Sequence, residues 1–146
     1  MAALNYLTVQ DMLWINHRVT GKVNAFRYDA LEEATFLQYG YGKSLDLEKQ
    51  AARFLTELPK RRPFDEGNEA TAFVGFVSFL RANGKNLQIS DRDAREWSAG
   101  SVESSEIAKC IVGGEEIHGV PNMEALIEGV IQDFANTLPA FAAVKG

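Results

Sequence analysis

Apolar residues recur along most of the chain at spacings of three and four, the period that lays one side of an α-helix against a core. The first such stretch follows Thr8-Val9-Gln10-Asp11, a capping pattern, and carries Met12, Trp14, Ile15 and Val19 up to Gly21. Residues 20–28 have no clear period and read as a loop. Asp29, with Glu32 three positions on, predicts the cap of a second helix running to about Gly40. Tyr39-Gly40-Tyr41-Gly42-Lys43 reads as a turn. Ser44 then opens a third helix with Leu47, Ala51, Phe54, Leu55 and Leu58 on one stripe, which Pro59 is expected to stop.

A fourth helix is predicted from about Asn68 to Asn83, with Gly84 at its C-cap. Ala72, Phe73, Val74, Phe76, Val77, Phe79 and Leu80 make it apolar nearly all round, so it belongs in the middle of the fold. Ser90 or Asp91 caps a shorter helix through Trp97, ended by Gly100, and another spans about 102–112 before Gly113-Gly114. The last helix, about 122–138, sets Met123, Leu126, Ile127, Val130, Ile131 and Phe134 on one face, and the connector 113–121 sets it off as an appended element. Only Lys85–Ser90 has a strand pattern, and one strand makes no sheet. The expectation is an all-α single domain over residues 1–146, a helical bundle around the central apolar helix at about 68–83.

Composition narrows the classes of function. The 146 residues are 46% hydrophobic and 24% charged, which suits one core without metal or disulfide staples. A net charge of −5 argues against a basic nucleic-acid coat, so no nucleic-acid partner is expected. No run approaches the roughly 20 apolar residues that cross a bilayer, so no membrane partner is expected either. Met1 to Leu7 lack the basic start and long apolar run of a signal peptide, and the expected address is the cytoplasm. The single cysteine, Cys110, has no partner for an internal disulfide and reads as a small buried apolar side chain.

The stretch that carries candidate chemistry is Arg61-Arg62-Pro63-Phe64-Asp65-Glu66-Gly67-Asn68-Glu69-Ala70-Thr71-Ala72. This is a tight connector feeding the start of the central helix. Free amides at such an end suit a phosphate, and acidic residues beside it suit a hard cation such as Mg²⁺. The same residues also fit a plain structural role, since acidic side chains in a first turn complement the helix dipole and Gly-Asn is ordinary cap chemistry.

The segment resembles the active-site motif of the Fic/Doc (death-on-curing) family, His-Pro-Phe-x-(Asp/Glu)-Gly-Asn-Lys-Arg-Thr-Ala followed by an apolar helix. Pro63, Phe64, Glu66, Gly67, Asn68, Thr71 and Ala72 match. Leu7 to Arg18 is similar to the opening helix of Doc-type members, Leu47–Leu58 to the helix before the motif, and Phe79-Leu80-Arg81-Ala82-Asn83-Gly84 to its close. The likeness covers about residues 5–112 and leaves the last helix outside. It implies a toxin–antitoxin or AMPylation setting, with AMP or phosphate passed to a protein hydroxyl. On that basis Gly67, Asn68 and Thr71 would bind phosphate, Glu66 with Asp65 would hold a metal weakly, and ATP with Mg²⁺ would be the cofactors. Loop 20–28 falls where the family keeps a flap that aligns the target segment. No Ser/Thr-x-x-x-Glu-Gly/Asn inhibitory signature is present, which suits a Doc-like rather than an autoinhibited member.

The match fails where the chemistry is done. Arg62 holds the position of the family histidine, and a guanidinium cannot accept the proton of an attacking hydroxyl. Loss of a positioned base costs about 10²–10⁴-fold in rate. Glu69 and Ala70 replace the motif Lys and Arg, and an arginine clamp on phosphates is worth about 10³–10⁵-fold. The only histidines, His17 and His118, offer little repair: His17 reads as a partly buried, hydrogen-bonded helical residue, and His118 sits in a loop. Lys60, Arg61 and Arg62 offer phosphate charge from the other side, or simply a solvated helix end. Asp65, Glu66 and Glu69 are candidates for a divalent ion, held weakly without phosphates.

The leading expectation is therefore a Fic/Doc-like pseudoenzyme with impaired or lost transfer, no tightly bound cofactor, and a binding or regulatory role. Its candidate partners are an antitoxin-like or target peptide in a surface groove, or a second copy of the chain. Two alternatives stand beside it. One is an active transferase of the same family using a non-standard base on a protein Ser, Thr or Tyr; the other is an unrelated structural bundle.

Overall fold

Helix α4, Asn68–Arg81, is the axis of the molecule, and every residue from Ala70 to Leu80 is buried. A computed structural model of the chain describes residues 3–40 and 45–138. Because α4 has no polar face, it must be covered on all sides, and five elements do so. These are α1 (Val9–Thr20), α3 (Leu47–Arg61), β1 (Lys85–Leu87), α5 (Asp91–Ser98) and α7 (Met123–Asp133). Helix α2 (Tyr28–Phe36) packs on α1 and α3, and α6 (Ser104–Cys110) packs on α3. The fold is all-α in class.

Local sequence accounts for most of the ends. Thr8 and Asp11 form the capping box of α1, Ser90 caps α5, and Asn122 caps α7. The stripe of α3 buries Ala51, Phe54, Leu55 and Leu58, with the Phe54 ring in the notch over Gly75.

Five expectations need correction. Helix α2 has no side-chain cap, and Asp29 lies inside its first turn. The residues before it are held extended by pairing with 63–65, so the helix starts where that pairing ends, and it stops at Phe36 rather than near Gly40. Asp46, not Ser44, caps α3; Ser44, and residues 41–43 of the turn expected at 39–43, lie outside the described residues. Pro59 does not stop α3, because one missing N–H so near the end forfeits a single hydrogen bond. The stop comes at Arg62, whose follower Pro63 disfavours right-handed helix in the residue before it.

Fourth, the strand at Lys85 does find a partner. The predicted helix over 102–112 ends at Cys110, and Ile111–Gly113 form β2, antiparallel to β1, with Asn86 opposite Val112 and Leu87 opposite Ile111. Two adjacent β-branched residues favour the pleated ribbon over another helical turn. Fifth, α7 is shorter than predicted, ending at Asp133, and it is no mere appendage. Ile127, Val130 and Ile131 lie in the common core, each worth about 1.5–3 kcal/mol of burial, and Phe134 meets Phe73 edge-on at 5.1 Å. Among the described residues, no helix is long and apolar enough to cross a membrane.

Candidate functional site

The connector between α3 and α4 is held by backbone pairing. Arg62 is the only described non-glycine residue with positive φ (48°), and it turns the chain into an extended Pro63–Asp65 segment. The loop after α1 lies alongside: Arg27 N–H donates to Pro63 O at 2.9 Å and Asp65 N–H to Ala25 O at 3.1 Å, which places Phe26 opposite Phe64. In an antiparallel pair of this kind the two facing residues do not bond each other; each turns its own N–H and C=O away.

Those outward groups meet different fates. Phe64 N–H donates to Asn68 Oδ1 at 3.0 Å, and Asn68 Nδ2 donates to Phe64 O at 2.8 Å. The buried carboxamide thus imitates a neighbouring strand. On the other side, the N–H and C=O of Phe26 have no hydrogen-bond partner among the described residues, and the residue is 42% exposed.

The elbow at Gly67 has its own internal reason. Its φ is 79°, and a Cβ built there would lie 2.4 Å from Thr20 Cγ2. Around it runs a polar network that the sequence reading missed. Asn16 Nδ2 donates to Glu66 O at 2.9 Å and to Thr71 Oγ1 at 3.1 Å, and Asn24 Nδ2 donates to Asn16 Oδ1 and Thr20 Oγ1, both at 2.9 Å. Asn16 is 2% exposed. A signal for it exists in the sequence: Asn16 and Thr20 sit four apart beside Ile15 and Val19, and polar groups on a buried stripe need partners.

Of the residues expected to bind phosphate, Gly67 is half-buried, while Asn68 and Thr71 are fully buried with side chains bonded to Phe64 and Asn16. No side chain caps α4, and the amides of Asn68, Glu69 and Ala70 have no acceptor among the described residues. That much favours an anion. The charges beside it do not. Glu69 brings a carboxylate into the first turn, and Arg62 Nη1 is bound to Glu69 Oε2 at 2.8 Å rather than free. Glu66 is paired with Lys22 at 2.7 Å, Lys60 with Glu57, and Arg61 with Glu33, so the basic run after Pro59 is matched by acids.

The three candidate metal ligands fare no better. Asp65, Glu66 and Glu69 are not brought together: among the described residues, no group of three or more His, Cys, Asp or Glu side chains is placed to hold a metal ion. With Ala70 supplying no cation, the side chains present do not fit a Mg²⁺-nucleotide held as the family motif would hold it.

Beside the connector lies a cleft of about 540 Å³. Leu13, Trp14, Val23, Phe26 and Phe64 supply its apolar wall, with Asp11, His17, Asn24 and Glu124 among its polar groups. His17 is exposed on this wall with no side-chain hydrogen bond among the described residues, because its position on α1 points outward, contrary to the partly buried, bonded residue expected. His118 is exposed in the connector before α7. Cys110 is half-buried; burial, reinforced by Asp93 and Glu106 and opposed by Lys109, pushes its thiol pKa up, the wrong direction for a nucleophile.

Compared with protein-family models, curated proteins and solved structures, the chain matches none.

Proposed function

We propose that this chain is a Fic/Doc-like protein that has lost nucleotidyl or phosphate transfer and acts in the cytoplasm as a binding or regulatory module for a protein segment. The observation that carries the reading is the Arg62–Glu69 pair at 2.8 Å. At the position of the motif base stands a permanent cation, and its counter-ion is the acid that replaces the motif lysine. Each residue satisfies the other, so neither proton transfer nor phosphate neutralisation remains for them to do.

What the site retains is a surface for polypeptide. Phe26 offers an N–H and C=O without a partner among the described residues, beside an apolar cleft; these are the two features an added strand uses, main-chain bonds for affinity and a pocket for alternate side chains. An antitoxin-like or former target segment is the expected occupant.

The test is nucleotide binding. In ¹⁵N NMR spectra, the wild-type chain is expected to show no shifts at residues 66–71 with ATP and Mg²⁺ at millimolar concentration. The triple change Arg62→His, Glu69→Lys, Ala70→Arg is expected to produce them. Saturable ATP binding by the wild type, with AMP or phosphate appearing on a protein acceptor, overturns the loss of function. A folded triple variant that still ignores nucleotide overturns the inherited site.

A further inference from the structure

We infer that the cleft between α1 and the 22–26 loop selects a segment that is both extended and cationic, its apolar side chains set against Trp14 and Leu13 and a Lys or Arg held by Asp11 and Glu124. The inference rests on the peptide-binding reading above and adds the chemistry of the partner.

Two independent observations lead to it. The first is the free edge. Phe26 is paired on one side only, its outward N–H and C=O have no partner among the described residues, and it belongs to the loop that walls the cleft. A chain laid there gains two backbone hydrogen bonds in the antiparallel pattern and projects every second side chain toward one face. An extended occupant suits this edge; a helix, whose backbone groups are already bonded, gains nothing from it.

The second is the charge around the rim. Lys22, the one Lys or Arg among the described residues lining the cleft, is already joined to Glu66. Asp11 and Glu124 also line it, and neither is in an ion pair with a described residue. Asp11 spends one oxygen, Oδ2, on Thr8 N–H at 2.8 Å, and Glu124 is exposed in the first turn of α7. The unmatched charge of the cleft is therefore negative, and electrostatic complementarity selects a positive partner and rejects an acidic one.

Three short synthetic peptides test this on the full chain. One carries valine, leucine and lysine together at every second position, so that all three face the same side, with serine between them; its twin carries glutamate in place of every lysine. A third, N-methylated at alternate amides, cannot form the edge bonds. The lysine peptide is expected to shift the amide signals of Val23, Phe26 and the Trp14 indole, and to bind more weakly as salt rises. The glutamate twin should bind worse. The double variant Asp11→Asn, Glu124→Gln keeps the Thr8 cap acceptor and should weaken the lysine peptide about threefold to tenfold, erasing the preference. Equal binding of the lysine and glutamate peptides overturns the cationic partner while leaving peptide docking intact. Equal binding of the N-methylated copy overturns the edge. If no peptide binds, the docking reading itself falls. Signals at the cleft that move only with protein concentration make the occupant a second copy of this chain, and that also overturns the inference.

Discussion

The carboxamide of Asn68 lies across the backbone of Phe64 as a neighbouring strand would, taking the N–H at 3.0 Å and giving to the C=O at 2.8 Å. One side chain thereby satisfies both groups of a buried residue and fixes the angle at which the connector enters α4. Phe26 completes the ribbon on the far side. Asn68 has a structural task here whether or not an anion is ever bound.

Asn68→Ala strands both Phe64 groups in a buried setting, where an unsatisfied polar group costs about 1–3 kcal/mol. We expect a loss of about 2–4 kcal/mol in urea unfolding, with the m-value unchanged. Asn68→Asp should do no better, since a carboxylate accepts from Phe64 N–H but opposes Phe64 O. A loss under about half a kcal/mol for Asn68→Ala would refute the role.

Gly67 separates packing from ligand binding. An added methyl meets Thr20 Cγ2 at 2.4 Å and also sits at φ 79°. Gly67→Ala is expected to cost about 2–4 kcal/mol, of which about 1 kcal/mol is the left-handed conformation. Thr20→Ser removes the clashing methyl and keeps the hydroxyl. In the double mutant, the cost should fall to the backbone share, a coupling that a double-mutant cycle by thermal or urea unfolding reads directly.

Much of the architecture is legible in the sequence, for particular reasons. Caps at Thr8 and Ser90 are local hydrogen bonds, and the all-apolar run of α4 leaves no position but the centre. What was not legible depends on distant partners. Residues 26 and 64 are paired across the chain, so the start of α2 at Tyr28 is set by a segment that the local pattern near Asp29 does not contain. The β1–β2 pair is of the same kind. At the site, the substitutions at Arg62, Glu69 and Ala70 could be read one by one, but that Arg62 and Glu69 satisfy each other is a fact of geometry.

Glu128 fastens α7 to α1. Its carboxylate accepts from Trp14 Nε1 at 3.0 Å and, in a bidentate pair, from Arg18 Nε and Nη2, both at 2.8 Å. The side chains of the ion pair are 29% and 35% exposed, so solvent screens part of the attraction. Glu128→Ala is expected to cost about 1–2 kcal/mol, and Glu128→Gln, which keeps one acceptor, about half that. The indole emission of Trp14, read in a Trp97→Phe background, should shift toward that of a solvated indole.

Cys110 makes a prediction about pH. Burial first, then Asp93 and Glu106, disfavour the thiolate, so the thiol pKa is higher in the folded chain than in the unfolded one. Below the unfolded pKa both states are protonated, and the group's stabilising contribution is fully present. As pH rises past that value the unfolded chain ionises first, and the contribution is lost by the time the folded pKa is passed. Alkylation of the native protein by iodoacetamide should therefore rise with pH at a midpoint above that of the urea-unfolded chain. A native midpoint at or below the unfolded one would mean a reactive thiol and reopen Cys110 as a chemical group.

Arg62 combines a strained backbone with an exposed ion pair, and the two terms can be weighed against each other. At φ 48° a residue with a Cβ is destabilised by about 1 kcal/mol relative to glycine, while a solvent-exposed pair such as Arg62–Glu69 contributes about 0–1 kcal/mol. Arg62→Gly is therefore expected to leave stability within about half a kcal/mol of wild type, or to raise it slightly. Arg62→Gln, which loses the pair and keeps the strain, should fall below wild type. If Arg62→Gly instead costs more than about 2 kcal/mol, the pair is far stronger than an exposed contact. It would then act as a structural lock on the start of α4, and the triple variant Arg62→His, Glu69→Lys, Ala70→Arg, which breaks that pair, should unfold at a lower temperature than the wild type.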